Sequence, residues 1–311
     1  MSATIFIDGE AGTTGLQIRE KLAGVSGLKL VSLPSEARKD AVAKQKLYGE
    51  VDVVILCLPD EAAKEAAHLI DAMGADAPRV IDASSAHRVA PGWAYGFPEL
   101  IEGQAQAVAK ASKVSNPGCH ATGAIALLRP LTDAGVIAKD EGISISSVSG
   151  YSGGGKSMIA SFEDGSAPAF ELYGLGFEHK HLPELQLYSK LTRRPIFVPS
   201  VGNYRQGMLV SVPLQLDTLP GKPSGADLHA VLAKRYAGST HVSVMPFDNT
   251  AFKTGKLEPE ALNETNMLEL YVFASEKYRQ ALLVARLDNL GKGASGAAVQ
   301  NMRLMLGFAE T

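Results

Sequence analysis

Short apolar runs alternate with helical stretches over the first third of the chain and give way to a succession of strand-like runs, which predicts an α/β protein in two parts. The first part reads as a doubly wound domain, the second as an α+β domain whose sheet is largely antiparallel. Residues 3–8 (ATIFID) are a strand pattern that stops at Gly9, and Gly12-Thr13-Thr14-Gly15 leads into a helix through Leu22. LKLVSL (28–33), VDVVILCL (51–58), the alanine-rich 61–73 and RVIDAS (79–84) continue the alternation, as stacked βαβ units require. The pattern changes near 115–120. Beyond Cys119 a helix is expected to Asp133, then strands at 143–149, 207–216, 267–274 and 280–287. Ala297, Ala298, Met302, Met305 and Leu306 at helical spacing mark a last helix that returns to the first domain. The expected domains are 1–117, rejoined by 291–311, and 118–290.

Of 311 residues, 46% are hydrophobic and 20% charged, the reverse of the balance that keeps a chain disordered. The 30 Lys and Arg against 33 Asp and Glu leave a net charge of −3 with no basic block, which argues against a nucleic-acid partner. No apolar run approaches the ~18 residues of a membrane span. The N-terminus lacks a basic segment followed by an apolar one, so a cytoplasmic location is expected. Two cysteines, Cys57 and Cys119, cannot build a disulfide framework.

Gly9, Gly12 and Gly15 sit at the first strand-to-helix junction, where missing Cβ atoms let the backbone approach a pyrophosphate at a helix N-terminus. This is the signature of a Rossmann dinucleotide site; the alternative is a glycine turn chosen for its dihedrals alone. A site selective for the unphosphorylated cofactor places Asp or Glu after the second strand. Ser32, Ser35 and Arg38 stand there instead. Arg38 either pairs with a 2′-phosphate or is solvated surface, and NADPH is the expected cofactor.

Cys119 follows Ser115-Asn116-Pro117-Gly118 and precedes an apolar helical stretch, which puts its thiol where helix amides and dipole favour a thiolate. Cys57, inside VVILCLP, reads as a small buried hydrophobe. Glu178-His179-Lys180-His181-Leu182-Pro183-Glu184 holds two histidines and two carboxylates, either a base with its orienting partner or a polar surface loop. No second cluster completes a zinc site, so no metal is expected. Gly150 to Lys156 lacks the Walker register and reads as a backbone anion nest beside a lysine.

The ordered set of glycine turn, Asp82-Ala83-Ser84-Ser85-Ala86-His87-Arg88, Ser115 to His120, Ser149 to Lys156, His179 to Glu184 and Asp288 to Gly296 resembles the N-acetyl-γ-glutamyl-phosphate reductase family over nearly the whole chain. The length, Val201 to Met208 and the Asp288 to Gly307 ending look like its shorter, type 2 form. The resemblance implies NADPH-dependent reduction of N-acetyl-L-glutamyl 5-phosphate to the 5-semialdehyde, a step of arginine biosynthesis. It implies Cys119 as nucleophile, His181 as acid/base with Glu184 in support and His179 as a neighbour. Gly12, Thr13, Thr14, Gly15, Ser84 and Ser85 become cofactor contacts, and Asn116 a substrate contact. The wider family includes aspartate-semialdehyde dehydrogenases, which pair a Rossmann domain with an α+β domain for catalysis and dimerisation, so a homo-oligomer, dimer or tetramer, is expected. The type 1 form usually reads Asp-Leu-Ser-Ala-Asp-Phe-Arg where this chain has Asp82 to Arg88, and only Arg88 keeps the cationic match.

Chemistry points the same way. An acyl phosphate attacked by a thiolate gives a thioester, which accepts hydride more readily than a carboxylate does. The substrate's phosphate and α-carboxylate call for cations, for which Arg88, Lys156 and Arg205 are candidates. Two rivals remain: a reductase of aspartyl phosphate with the same fold, and a non-catalytic dinucleotide sensor. A sensor has no use for a helix-terminal cysteine together with a His-x-Pro-Glu loop. Between the reductases the choice rests on resemblance.

Overall fold

The computed structural model describes residues 2–248 and 250–309, and the chain divides into two compact units, Met1–Pro117 with Ala294–Thr311, and Gly118–Gly293. The first unit contains β1 (Ala3–Asp8), α1 (Thr13–Leu22), β2 (Leu28–Val31), α2 (Ala41–Tyr48), β3 (Val53–Leu56), α3 (Asp60–Asp71), β4 (Arg79–Asp82), β5 (Ala94–Tyr95), α4 (Gln104–Lys110) and β6 (Lys113–Ser115). Its strands are all parallel and lie in the order β2-β1-β3-β4-β6-β5. Strand order reverses between β1 and β3, and the crevice beyond the carboxyl ends of those strands is where doubly wound sheets bind ligands.

Helices cover both faces, so β3 is buried along its whole length rather than on alternate residues. Ile5 and Ile7 face one core with Ile18, Leu22, Val108, Ala298, Met302 and Met305; Phe6 faces the other with Tyr48, Val54, Leu56 and Ile70. The helix Gly296–Leu306 is therefore part of the first unit's core, and it ends at Gly307 with φ +71°. The returning segment that starts at residue 291 opens with a π-helical turn, Gly291–Ser295, ahead of that helix.

The second unit contains α5 (Cys119–Asp133), β7 (Ser144–Gly150), α6 (Gly155–Glu163), β8 (Phe170–Leu172), α7 (Leu182–Tyr188), β9 (Ile196–Gly202), β10 (Met208–Gln215), α8 (Gly225–Arg235), β11 (Val242–Val244), α9 (Thr250–Thr254), β12 (Leu268–Ser275) and β13 (Gln280–Leu287). Its sheet runs β11-β12-β13-β10-β7-β9-β8. The sheet is mixed: β11 with β12 and β7 with β9 are parallel, the other pairings antiparallel. The short β8 and β11 and the Pro-containing β9 escape the sequence pattern, because Pro199 lacks an N–H and reads against a strand interior. Helix α5 is buried from His120 to Thr132 and lies close on the sheet: a Cβ on Gly123 would stand 2.8 Å from Val210 Cγ2. That close fit sets the position of the helix start, and with it Cys119.

Candidate functional site

In the first unit, β1 ends in a turn that only glycine permits. Gly9 has φ +91°, and a Cβ there would collide with the Cys57 carbonyl. A Cβ on Gly15 would stand 2.5 Å from the Gly9 carbonyl oxygen, so the first turn of α1 presses on the loop. The N-cap of α1, Gly12, offers no side-chain cap, and the first turn, starting at Thr13 and Thr14, has no acid. Its amides are thus available to an anion, as a pyrophosphate requires. Burial, with Asp82 and Asp8 adding, pushes the Cys57 thiol up to about 12, which keeps it un-ionised.

At the end of β2 the structure adds a residue that pattern reading missed. Glu10, from the glycine turn, accepts from Arg19 at 2.6 Å, from the Ser32 hydroxyl at 2.8 Å and from Arg38 at 2.8 Å. The sequence shows no acid at the end of LKLVSL itself, the next being Glu36; the fold brings Glu10 there from the turn. Ser35 instead donates to Glu36 in a single 3₁₀ turn.

After β4, Ser84 bonds Asp82 through both its amide and its hydroxyl, and Ser85 bonds Asp60 in the same way. These bonds fix the loop backbone. His87 Nδ1 lies 2.6 Å from Asp82 while its ring stacks on Trp93. Arg88 is buried and its Nε donates to the Asn116 carbonyl at 3.0 Å. Asn116 in turn donates from Nδ2 to the Ala294 carbonyl and accepts on Oδ1 from Asn301. Both side chains therefore brace the segment leading to Cys119.

In the second unit, Cys119 is the first residue of α5, half-buried, with Gly118 as an N-cap that carries no side-chain cap and no acid in the first turn. The buried Glu184 carboxylate accepts from the Gly118 amide at 3.1 Å, clamping the helix start. His120, the next residue of α5, is buried. Its Nδ1 is 2.7 Å from Ser147 Oγ and its Nε2 is 2.8 Å from Tyr173 Oη. Ser147 donates to the Leu209 carbonyl, so the network assigns the proton to Nδ1 and makes Nε2 the acceptor for the Tyr173 O–H. Burial first, then His179 and Lys180, hold His120 at about 3, so it is neutral. Burial and then Cys119 raise the Tyr173 phenol above its ordinary value.

His179 and His181 complete this cluster: their rings are 4.7 Å apart, and 5.6 and 5.4 Å from His120. The His181 amide donates to His179 Nδ1 at 3.1 Å. His181, itself buried, sits at the N-cap of α7, whose second residue is Pro183. Lys156 is exposed at the start of α6, whereas Arg205 pairs with Glu163 at 2.6 Å at the other end of that helix. Among the described residues no three or more His, Cys, Asp or Glu are grouped to hold a metal ion, and no helix is long and apolar enough to cross a membrane.

Residues 10–108 match the NAD-binding domain of semialdehyde dehydrogenases, and residues 119–289 match their dimerisation domain. The N-acetyl-gamma-glutamyl-phosphate reductase of Burkholderia lata is 53% identical over 99% of this chain and 97% of the relative. That of Chelativorans sp. is 53% identical over 98% and 99%, and that of Brucella ovis 52% over 99% and 100%. The chain belongs to the N-acetyl-gamma-glutamyl-phosphate reductase family. Its fold is that of aspartate semialdehyde dehydrogenase II from Vibrio cholerae, with TM-score 0.73, 15% identity and 99% of each chain covered. The enzyme from Candida albicans, determined with NADP, gives TM-score 0.63 at 13% identity over 98% of this chain and 99% of that one.

Within this reductase chain, Cys119, Glu184, His179 and His181 come from two segments about sixty residues apart and belong to one unit. Glu10, Arg19 and Tyr173 carried no isolated signal in the sequence, and His120 and Gly293 stood in quoted motifs without a role. His120 was open to discovery, since an apolar helix with one imidazole beside its cysteine must satisfy that ring in the core.

Proposed function

We propose that the protein reduces N-acetyl-L-glutamyl 5-phosphate with NADPH to N-acetyl-L-glutamate 5-semialdehyde and phosphate, in cytoplasmic arginine biosynthesis. The observation that carries this reading is Cys119 at the uncapped first position of the fifteen-residue helix α5, in a chain that matches its relatives from end to end. The residues of the glycine turn fit a dinucleotide, since the φ of Gly9 and the uncapped α1 make an anion cradle. Bound there, the cofactor supplies hydride.

The Cys119 thiolate attacks the acyl carbon, the C–O bond to phosphate breaks, and a thioester remains on the sulfur. After reduction to a thiohemiacetal, His181 takes the hydroxyl proton while the C–S bond breaks and the thiolate leaves, releasing the aldehyde. Glu184 holds the helix start, so the thiol meets the carbonyl in one orientation. Neutral His120 fixes Tyr173 beside the thiol without adding a charge that would trap the sulfur as a permanent ion pair. Of the cations, we assign Lys156, Arg88 and Arg205 to the substrate's anionic groups, since the bond that each arginine gives to Asn116 or Glu163 leaves further N–H donors on its guanidinium.

Arg38 supports NADPH over NADH, since its half-exposed guanidinium at the end of β2 keeps donors for a 2′-phosphate beyond the one that Glu10 takes, while the neighbouring Ser32 hydroxyl donates to Glu10. The second unit also supports a homodimer. Leu282 of β13 and Phe252 of α9 are exposed beside hollows of about 570 and 460 Å³ that both residues and Phe273 help line, and an apolar face of this kind suits a second copy.

The deciding experiment follows NADP⁺ reduction with N-acetylglutamate semialdehyde plus phosphate and, separately, aspartate semialdehyde plus phosphate. Turnover is expected with the first. A preference for the second would reassign the substrate while keeping the thioester chemistry.

A further inference from the structure

The donors that a 2′-phosphate needs at the end of β2 are already held by a carboxylate. Glu10 is buried, with 8% of its surface exposed, and its Oε2 accepts from Ser32 and Arg19 while Oε1 accepts from Arg38. Ser32 has one hydroxyl proton, which it donates to Glu10; its oxygen meanwhile accepts from Arg19 at 2.8 Å. A phosphate oxygen gains the hydroxyl only if Glu10 loses it. Arg38 is different, because a guanidinium has five N–H donors and its side chain is 44% exposed, so it can serve both groups.

Charge works in the same direction. Two guanidiniums and one carboxylate leave a single net positive charge to face a phosphate monoester of roughly −1.5 to −2. A ribose 2′-hydroxyl meets no such conflict, since it can donate to Glu10 and accept from an arginine. We propose that Glu10 is a specificity-determining residue: it competes with a cofactor 2′-phosphate for Ser32 and Arg38, offers a 2′-hydroxyl its acceptor, and so moderates the preference for the phosphorylated dinucleotide. The inference rests on the dinucleotide reading of this unit and goes beyond it by naming the residue that sets the ratio.

The test measures dissociation constants of NADPH and NADH by fluorescence titration of the full chain at one ionic strength, for wild type, Glu10→Gln, Ser32→Ala and the double variant. Glu10→Gln should tighten NADPH and weaken NADH, raising the ratio of the two constants about tenfold. Ser32→Ala should change NADPH binding less than threefold in the wild type but about tenfold in the Glu10→Gln background, where a neutral carboxamide with one acceptor oxygen holds the hydroxyl less tightly than the carboxylate does. Equal losses for both cofactors in Glu10→Gln would make Glu10 a structural tie and overturn the proposal. Selective loss of NADPH would overturn it too, by making Glu10 the organiser of a phosphate site. A wild type that binds NADH as tightly as NADPH would sink the cofactor preference alone, leaving the Glu10 ratio to be judged by itself.

Discussion

Gly293 lies against Cys119: a Cβ placed on Gly293 would stand 2.7 Å from the Cys119 Cβ and 3.2 Å from its Cα. The π-helical turn that carries Gly293 thereby backs the thiol, and no larger residue fits without moving one of the two backbones. Gly293→Ala should lower kcat at least tenfold, with a stability loss of about 1–3 kcal/mol from overpacking. Gly176→Ala, where nothing lies within 4 Å, should leave both unchanged. Steady-state rates and urea midpoints of the two variants decide the matter.

Cys119→Ser should abolish turnover while NADPH binding stays within a factor of about two, because the glycine turn belongs to the other unit. Residual rate above about 1% of wild type would remove the thioester from the mechanism.

His181→Asn should slow turnover by about 10²–10⁴, the usual contribution of an acid/base group, yet leave a stoichiometric burst of acyl transfer to Cys119. Single-turnover mixing with the acyl phosphate reads the burst directly; its loss along with the rate would assign His181 to thiol activation instead.

His120 makes the fold acid-sensitive. Its imidazole is held at about 3 in the folded chain, against about 6.5 when unfolded. Between those values the unfolded chain binds a proton that the folded chain does not, so stability falls as pH drops from about 6.5 toward 3 and is flat with respect to this group above about 7. His120→Gln, which can still bond Ser147 and Tyr173, should lose less stability than wild type between pH 7.5 and 5. Urea midpoints at the two pH values check the difference; parallel losses would show that other groups carry the slope.

Arg38→Ala should weaken NADPH binding about tenfold to a hundredfold and NADH binding far less, since a charge-assisted hydrogen bond is worth roughly 1.5–3 kcal/mol. Dissociation constants at fixed ionic strength settle it, and equal losses would make Arg38 ordinary surface.

Sequence alone determined what depends on neighbouring residues. The strand that stops at Gly9, the glycine turn and the start of α1 follow from backbone sterics within a dozen residues. Cys119 at a helix start follows from Pro117 and Gly118 before it and the apolar run after it. The change from alternating elements to successive strands announced two architectures, although β9 hid behind Pro199 and its parallel pairing with β7 required a partner some fifty residues away. Tertiary structure decided which groups meet. Glu10 reaches Ser32 and Arg38 because β2 lies beside β1 in parallel register, not because of any spacing in the chain. His120 finds Ser147 and Tyr173, Gly118 finds Glu184, and Gly293 finds Cys119 because α5 is packed on the sheet at Gly123. Periodicity and turn chemistry act over a few residues and can be read along a line, whereas these meetings depend on strand order and close packing, which exist only once the sheet has formed.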